Sequence, residues 1–169
     1  MRLPERTLNA SQETVQPGET LFVGMDFNVG KMAAVVHVKR LGLPHAVDEI
    51  VNGYDTPDMI RQIKERFWLY ADGDYRPTRQ IRIYPDASGD SRKSVRASET
   101  DIALLKQAGF IVSAPAANPP VKDRINSMNA MFCNATEANV RLLVSSLVSV
   151  PEAILEAYQS AYSRGRLGN

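Results

Sequence analysis

The stretch LFVGMDFN, residues 21–28, decides the fold. Its residues alternate, with Leu21, Val23, Met25 and Phe27 on one face and Phe22, Gly24, Asp26 and Asn28 on the other, which is the period of a strand. A carboxylate, Asp26, therefore falls inside an otherwise apolar strand, where burying an unpaired charge is costly. Asn28-Val29-Gly30 is a turn signal, and the small and β-branched run over residues 33–38 follows at once. Together they predict an antiparallel hairpin. A third strand is expected over residues 45–51, after the break at Gly42-Leu43-Pro44.

Beyond this point strands and helices alternate. A helix is predicted with Thr56 as N-cap, Pro57 at the first helical position and Met59, Ile60, Ile63 and Phe67 on one face, ending before a loop at Ala71-Asp72-Gly73-Asp74. Residues 80–85, QIRIYP, read as a strand with Ile81 and Ile83 inward and Gln80 and Arg82 outward, stopping at Asp86 in the turn-rich ASGDS. Ser98 and Asp101 have the spacing of a capping box opening a helix with Ile102, Leu105 and Ala108, closed by Gly109. Residues 110–113 are a short strand. Pro119-Pro120 opens a further helix carrying Val121, Ile125, Met128 and Phe132. Residues 140–144 form another strand, and Pro151 opens a last helix with Ile154, Leu155, Tyr158 and Tyr162, ended by Gly165. Residues 1–19 carry Pro4, Pro17 and Gly18, show neither period and read as a lead-in to a domain over 20–169. The order predicts an α/β domain whose mixed sheet begins with antiparallel strands and is flanked by helices.

Composition narrows the class. The 44% apolar content and a formal net charge of +1 exclude intrinsic disorder, and 169 residues suffice for one domain core. A single cysteine, Cys133, excludes an internal disulfide framework and any multi-cysteine zinc module, and reads as a packed thiol in a reducing compartment. No apolar run approaches the roughly 18 residues of a membrane span, so no membrane partner is expected. No Gly-Lys-Ser/Thr occurs, so a nucleotide is not expected either.

Two acids have addresses that suit chemistry. Asp26 lies in the first strand, and Asp86 sits at the carboxyl end of another, where open α/β sheets place their ligands. If those strands are neighbours, both carboxylates reach one point. Hard oxygen donors without His or Cys nearby select Mg2+ or Mn2+, the ions of two-metal phosphodiester hydrolysis. Zinc is disfavoured, because His37 and His45 stand without ligand spacing. The alternative reading of each acid is a turn former or cap, and caps or arginine partners are the expectation for Asp90 and Asp123. Between Arg76 and Arg96, five Arg and one Lys stand against Asp86 and Asp90, a local basic excess that suits a phosphate backbone as well as a solvated face. Lys31, Arg92, Lys93, Lys122 and Arg124 are the candidate contacts to such a backbone, with Lys31 reading equally as a strand-edge charge. Trp68, Tyr158 and Tyr162 read as core, and Ser88 and Ser91 have no base beside them.

Five stretches then stand in one order: PERTLN (4–9), FVGMDFNVGKMAAVVHV (22–38), YPDASG (84–89), NPPVKDRINSMNAMF (118–132) and PEAILEAYQSAY (151–162). This combination resembles the nuclease domain of the large subunit of tailed-phage and prophage terminases, the DNA-packaging motor proteins. The resemblance implies a ribonuclease H-like fold, cleavage of concatemeric double-stranded DNA by divalent metals, and Asp26 and Asp86 as the first two acids. It further implies Mg2+ or Mn2+ as cofactor, the portal protein and small terminase subunit as partners besides DNA, and the cytoplasm of a bacterial host as location. The family's ATPase domain would precede PERTLN, and its third metal-binding Asp would lie in a helix beyond PEAILEAYQSAY. The chain is therefore expected to be truncated at its C-terminus, with an incomplete two-metal site. Two rival expectations stand beside this one: an inactive remnant serving as a DNA-binding or packaging-complex interaction module, and a structural α/β domain whose acids cap turns.

Overall fold

The computed structural model describes residues 10–11, 13–27, 30–85, 95–114, 120, 122–123, 126 and 143–145. Their elements run β1 (Ala10–Ser11), β2 (Leu21–Asp26), β3 (Met32–Arg40), β4 (Leu43–Gly53), α1 (Thr56–Phe67), β5 (Leu69–Ala71), β6 (Asp74–Arg76), β7 (Ile81–Pro85), α2 (Val95–Gln107), β8 (Ile111–Val112) and β9 (Leu143–Ser145). The expected helices over 119–132 and 151–165 lie largely or wholly outside the described residues.

The alternation in β2 works as read. Leu21, Val23 and Met25 are buried, and β2 pairs antiparallel with β3, whose Met32, Ala34, Val36 and Val38 face the same core. The turn into β4 uses Leu41 and Gly42, both at positive φ, between the paired residues Arg40 and Leu43. That is a two-residue hairpin loop, matching the right-handed twist of the flanking strands. Because Leu43 already pairs, β4 starts two residues before the expected third strand and continues to Gly53.

The first helix has a different cap from the one expected. Asp55 is the N-cap, its carboxylate accepting the Asp58 N–H at 2.9 Å, and Pro57 occupies the second helical position. Thr56 is released from capping because the aspartate, one residue earlier, reaches the same donors. Its hydroxyl instead donates to Asp101 Oδ1 at 2.9 Å and ties α1 to α2. Met59, Ile63 and Phe67, at intervals of four, form the buried stripe. The loop expected at residues 71–74 is the tip of a hairpin. Asp72 and Gly73 both take positive φ there, and β5 and β6 pair across them with the Tyr70 and Tyr75 rings 5.0 Å apart. The backbone of α2 is helical from Val95, three residues ahead of the expected capping residue Ser98.

The sheet order is β1-β9-β4-β3-β2-β7-β8. Within it β4, β3 and β2 are antiparallel, while β7 runs parallel to β2 and β8 parallel to β7. Three antiparallel strands followed by two parallel ones joined through helices is the mixed, ribonuclease H-like sheet anticipated from the sequence. Both described helices contribute to one face. Met59 and Ile63 of α1 and Leu105 of α2 bury with Val23, Ile50, Ile81 and Ile83, and Trp68 and Phe110 close the margin with ring centroids 5.2 Å apart. A fully buried aliphatic side chain of this kind stabilises by about 1.5–3 kcal/mol, so the stripe of α1 is what fixes the helix to the sheet. Ala10–Ser11, in a stretch expected to hold no strand, pairs in parallel with β9.

Candidate nuclease site

The parallel ladder between β2 and β7 places Phe22 beside Arg82, Gly24 beside Tyr84 and Met25 beside Pro85. Asp26 is the last residue of β2, and Asp86 is the next residue in the chain after Pro85. The two strands are thus neighbours in a parallel register. Asp86 itself lies outside the described residues.

Asp26 differs from expectation in one respect. It is exposed, because it stands at the end of the strand on the face opposite Leu21, Val23 and Met25, and so carries no burial penalty to be relieved. On that same face lie Gly24, Ala33, Val35 and His37, with Arg82 and Tyr84 one strand over. The face is graded. His37 and Phe22 are half-buried, whereas Gly24, Asp26 and Tyr84 are exposed. Burial holds the His37 imidazole below its ordinary pKa, against an opposing effect of the Phe22 and Val35 backbone. His37 pairs with Phe22, away from the Asp26 end of β2.

Lys31 is exposed in the connection between β2 and β3, just before the strand that pairs with Asp26. Lys122 and Asp123 are exposed in a helical turn after β8. Arg92, Lys93, Arg124, Asp90, Ser88, Ser91 and Cys133 lie outside the described residues, as do Tyr158 and Tyr162. Among the described residues, no group of three or more His, Cys, Asp or Glu side chains stands close enough to hold a metal. What the described donor set offers is one hard, solvent-facing carboxylate, which suits a hydrated Mg2+ or Mn2+ and not a soft metal.

Two residues of this face are absent from the sequence-based candidates. The alternation that puts Gln80 and Arg82 outward also puts Tyr84 outward, and Gly24 shares Asp26's parity in β2. Both signals are present in the spacing. A cavity of about 370 Å³ lies elsewhere, between Val15, Val47, Arg66, Phe67 and Arg79, and does not include Asp26. No described helix is long and apolar enough to cross a membrane.

Comparison with known proteins agrees with this architecture. The large terminase of a thermophilic bacteriophage superposes with a TM-score of 0.58 at 16% identity over 88% of this chain and 34% of the terminase. The same protein in complex with ADP gives 0.60 at 16% identity over 89% and 34%, and with ATP-gamma-S 0.60 at 15% over 91% and 35%. The chain spans about a third of the length of these solved terminases. No curated protein matches. A sequence profile of the phage tail assembly chaperone family matches residues 132–169, a stretch that includes PEAILEAYQSAY. The chain therefore shares its fold with about a third of a phage large terminase, and carries at its C-terminal end a likeness to a second phage protein family.

Proposed function

We propose that this chain is a metal-dependent endonuclease domain of a phage DNA-packaging terminase, acting on double-stranded DNA. The observation that carries the reading is the β2–β7 register. It pairs Met25 with Pro85, the residues that immediately precede Asp26 and Asp86 in the chain. Consecutive residues are held about 3.8 Å apart at Cα and paired strands run about 4.8 Å apart, which supports reading the two acids as members of one site. Asp26 and Asp86 would hold Mg2+ or Mn2+, which when bound supplies a nucleophilic water and neutralises charge on the phosphate. Lys31 lies at the same strand ends and is a phosphate contact in this reading, with Arg92, Lys93, Lys122 and Arg124 as further contacts. By the family resemblance, the portal protein and small terminase subunit are its partners, a bacterial host cytoplasm its location, and nucleotide hydrolysis belongs elsewhere in the motor.

The test is plasmid cleavage with Mg2+ or Mn2+ added. Cutting that is abolished by EDTA and by Asp26→Asn, with unchanged folding, is the expected result; no cutting under any divalent ion sinks the reading. A second reading is favoured by the tail assembly chaperone likeness over residues 132–169: an inactive module that binds another phage protein. It predicts no cleavage and no divalent-ion binding by the folded chain.

A further inference from the structure

Residues 13–19 lie at the end of the sheet opposite Asp26. Arg40 closes β3, whereas Asp26 pairs with Ala33 near the start of that strand, about 23 Å away along it. The Arg40 guanidinium holds the segment at three residues. Nε and Nη2 donate to the two oxygens of Glu19 at 2.6 and 2.7 Å, Nη2 also donates to the Thr14 carbonyl at 2.5 Å, and Nη1 pairs with Glu13. Arg79 adds one bond, from Nη1 to the Gln16 carbonyl at 3.0 Å.

The segment is also closed on itself. The Glu19 N–H donates to the Gln16 carbonyl at 3.3 Å, and the Glu19 carboxylate accepts the Gln16 N–H at 2.7 Å. Pro17 followed by Gly18, at φ near +76°, has the pattern of a type II turn. Arg40 therefore grips a preformed turn, and losing that grip frees the turn whole.

Its attachment differs in kind from that of the strands. Thr14, Gln16, Pro17 and Gly18 are exposed and Glu13, Val15, Glu19 and Thr20 half-buried, while Leu21, Val23, Val36 and Val38 of β2 and β3 are at most 1% exposed. Val15 packs against the core, but it also lines the cavity of about 370 Å³ with Val47 and Phe67, so part of its surface gains no packing contact. Ahead of the segment, β1 is tied to β9 by a ladder of two residues. A stretch held through exposed polar contacts opens at a lower free energy than strands held by buried side chains.

We propose that residues 13–19 are a latched strap. Arg40 is the latch, and its release lets the segment swing off the sheet as one unit about Thr20 while β2 and β3 stay folded. Opening gives the chain entering β2 a second direction and uncovers Val47 and Phe67, without moving the strand end that carries Asp26. The device does not depend on the nuclease reading.

Native-state hydrogen exchange of the full chain in rising urea tests it. In the wild type the Gln16 and Glu19 amides should share one opening, at least about a hundredfold more frequent than that of the β2 and β3 amides and nearly independent of urea. Arg40→Met should speed both by about tenfold or more, while β2 and β3 remain protected. Exchange of Gln16 and Glu19 at the sheet's own rate and urea dependence would overturn the proposal, as would unequal openings at the two residues. In Arg40→Met, unchanged exchange at both residues would place the latch elsewhere, and loss of protection throughout β2 and β3 would make Arg40 part of the core; either result also sinks it.

Discussion

Met25 and Pro85 are direct partners in the parallel ladder of β2 and β7, and Asp26, the next residue of β2, still pairs with Ala33 of β3. In a sheet whose side chains alternate, that register puts Asp26 on the open face while Met25 points into the core. Slipping β2 by one residue would bury the acid and expose Leu21, Val23 and Met25. The hydrophobic pattern therefore fixes where the carboxylate stands. Met25→Asp should cost at least about 3 kcal/mol, since it places a charge in the core. Urea unfolding checks this, and a loss below about 1 kcal/mol, the range of an ordinary surface change, would show that the register is not held by the core.

Thr56 is buried and donates to Asp101 at 2.9 Å, joining α1 to α2 across the helix layer. Thr56→Val keeps the shape and removes the donor. The expected loss is about 1–2 kcal/mol, with a coupling of similar size to Asp101→Asn in a double-mutant cycle. Additive effects would mean the pair contributes nothing.

The guanidinium of Arg40 hydrogen-bonds both oxygens of Glu19, at 2.6 and 2.7 Å, and also pairs with Glu13. The bond from Arg40 holds the Glu19 carboxyl below its ordinary pKa, partly offset by burial. A carboxyl with a lowered folded pKa contributes stability that is present above its unfolded value, near about 4.3, and lost as pH falls through the folded value. Acid titration of stability should therefore be less steep below about pH 4.5 in Glu19→Gln than in the wild type. At neutral pH that variant should lose about 1.5–3 kcal/mol. Identical slopes would contradict the assignment.

Gly53 ends β4 against α1, where a Cβ would meet Met59 Sδ at 2.1 Å and Met32 Cβ at 3.2 Å. Both methionines are almost fully buried, so neither can move aside freely. Gly53→Ala should cost about 1–3 kcal/mol by overpacking. Thermal unfolding reads it, and a neutral result would imply that Met59 has room to repack.

Much of the fold can be read from period alone. The alternation in LFVGMD and in IRIYP, and the four-residue spacing of Met59, Ile63 and Phe67, each correspond to a buried face. Sequence and structure part where two local signals compete. Asp55 and Thr56 are both capping residue types, and the aspartate prevails because its carboxylate reaches the Asp58 N–H. Asp72-Gly73 reads as a plain loop although an Asp-Gly pair is a strong hairpin signal, because strands of three residues are too short to show a period. The pairing of Ala10–Ser11 with β9 joins stretches at opposite ends of the chain, Ala10 to Val144, and no local pattern encodes it. For the site, the strand address of Asp26 is legible but its exposure is not, since which end of a strand meets solvent depends on what packs over it. Gly24 and Tyr84 are legible in parity, and only the ladder sets them side by side.

The central claim is that Asp26 and Asp86 share a divalent ion. A crystal soaked in Mn2+ and measured at the manganese edge tests it most directly. The predicted result is an anomalous peak with carboxylate oxygens of both residues at about 2.0–2.2 Å, close to the octahedral distances of a hard divalent ion. An ordered structure in which the two carboxylates stand too far apart to share one ion, or a metal pair about 3.5–4 Å apart, with no peak between them, would contradict it.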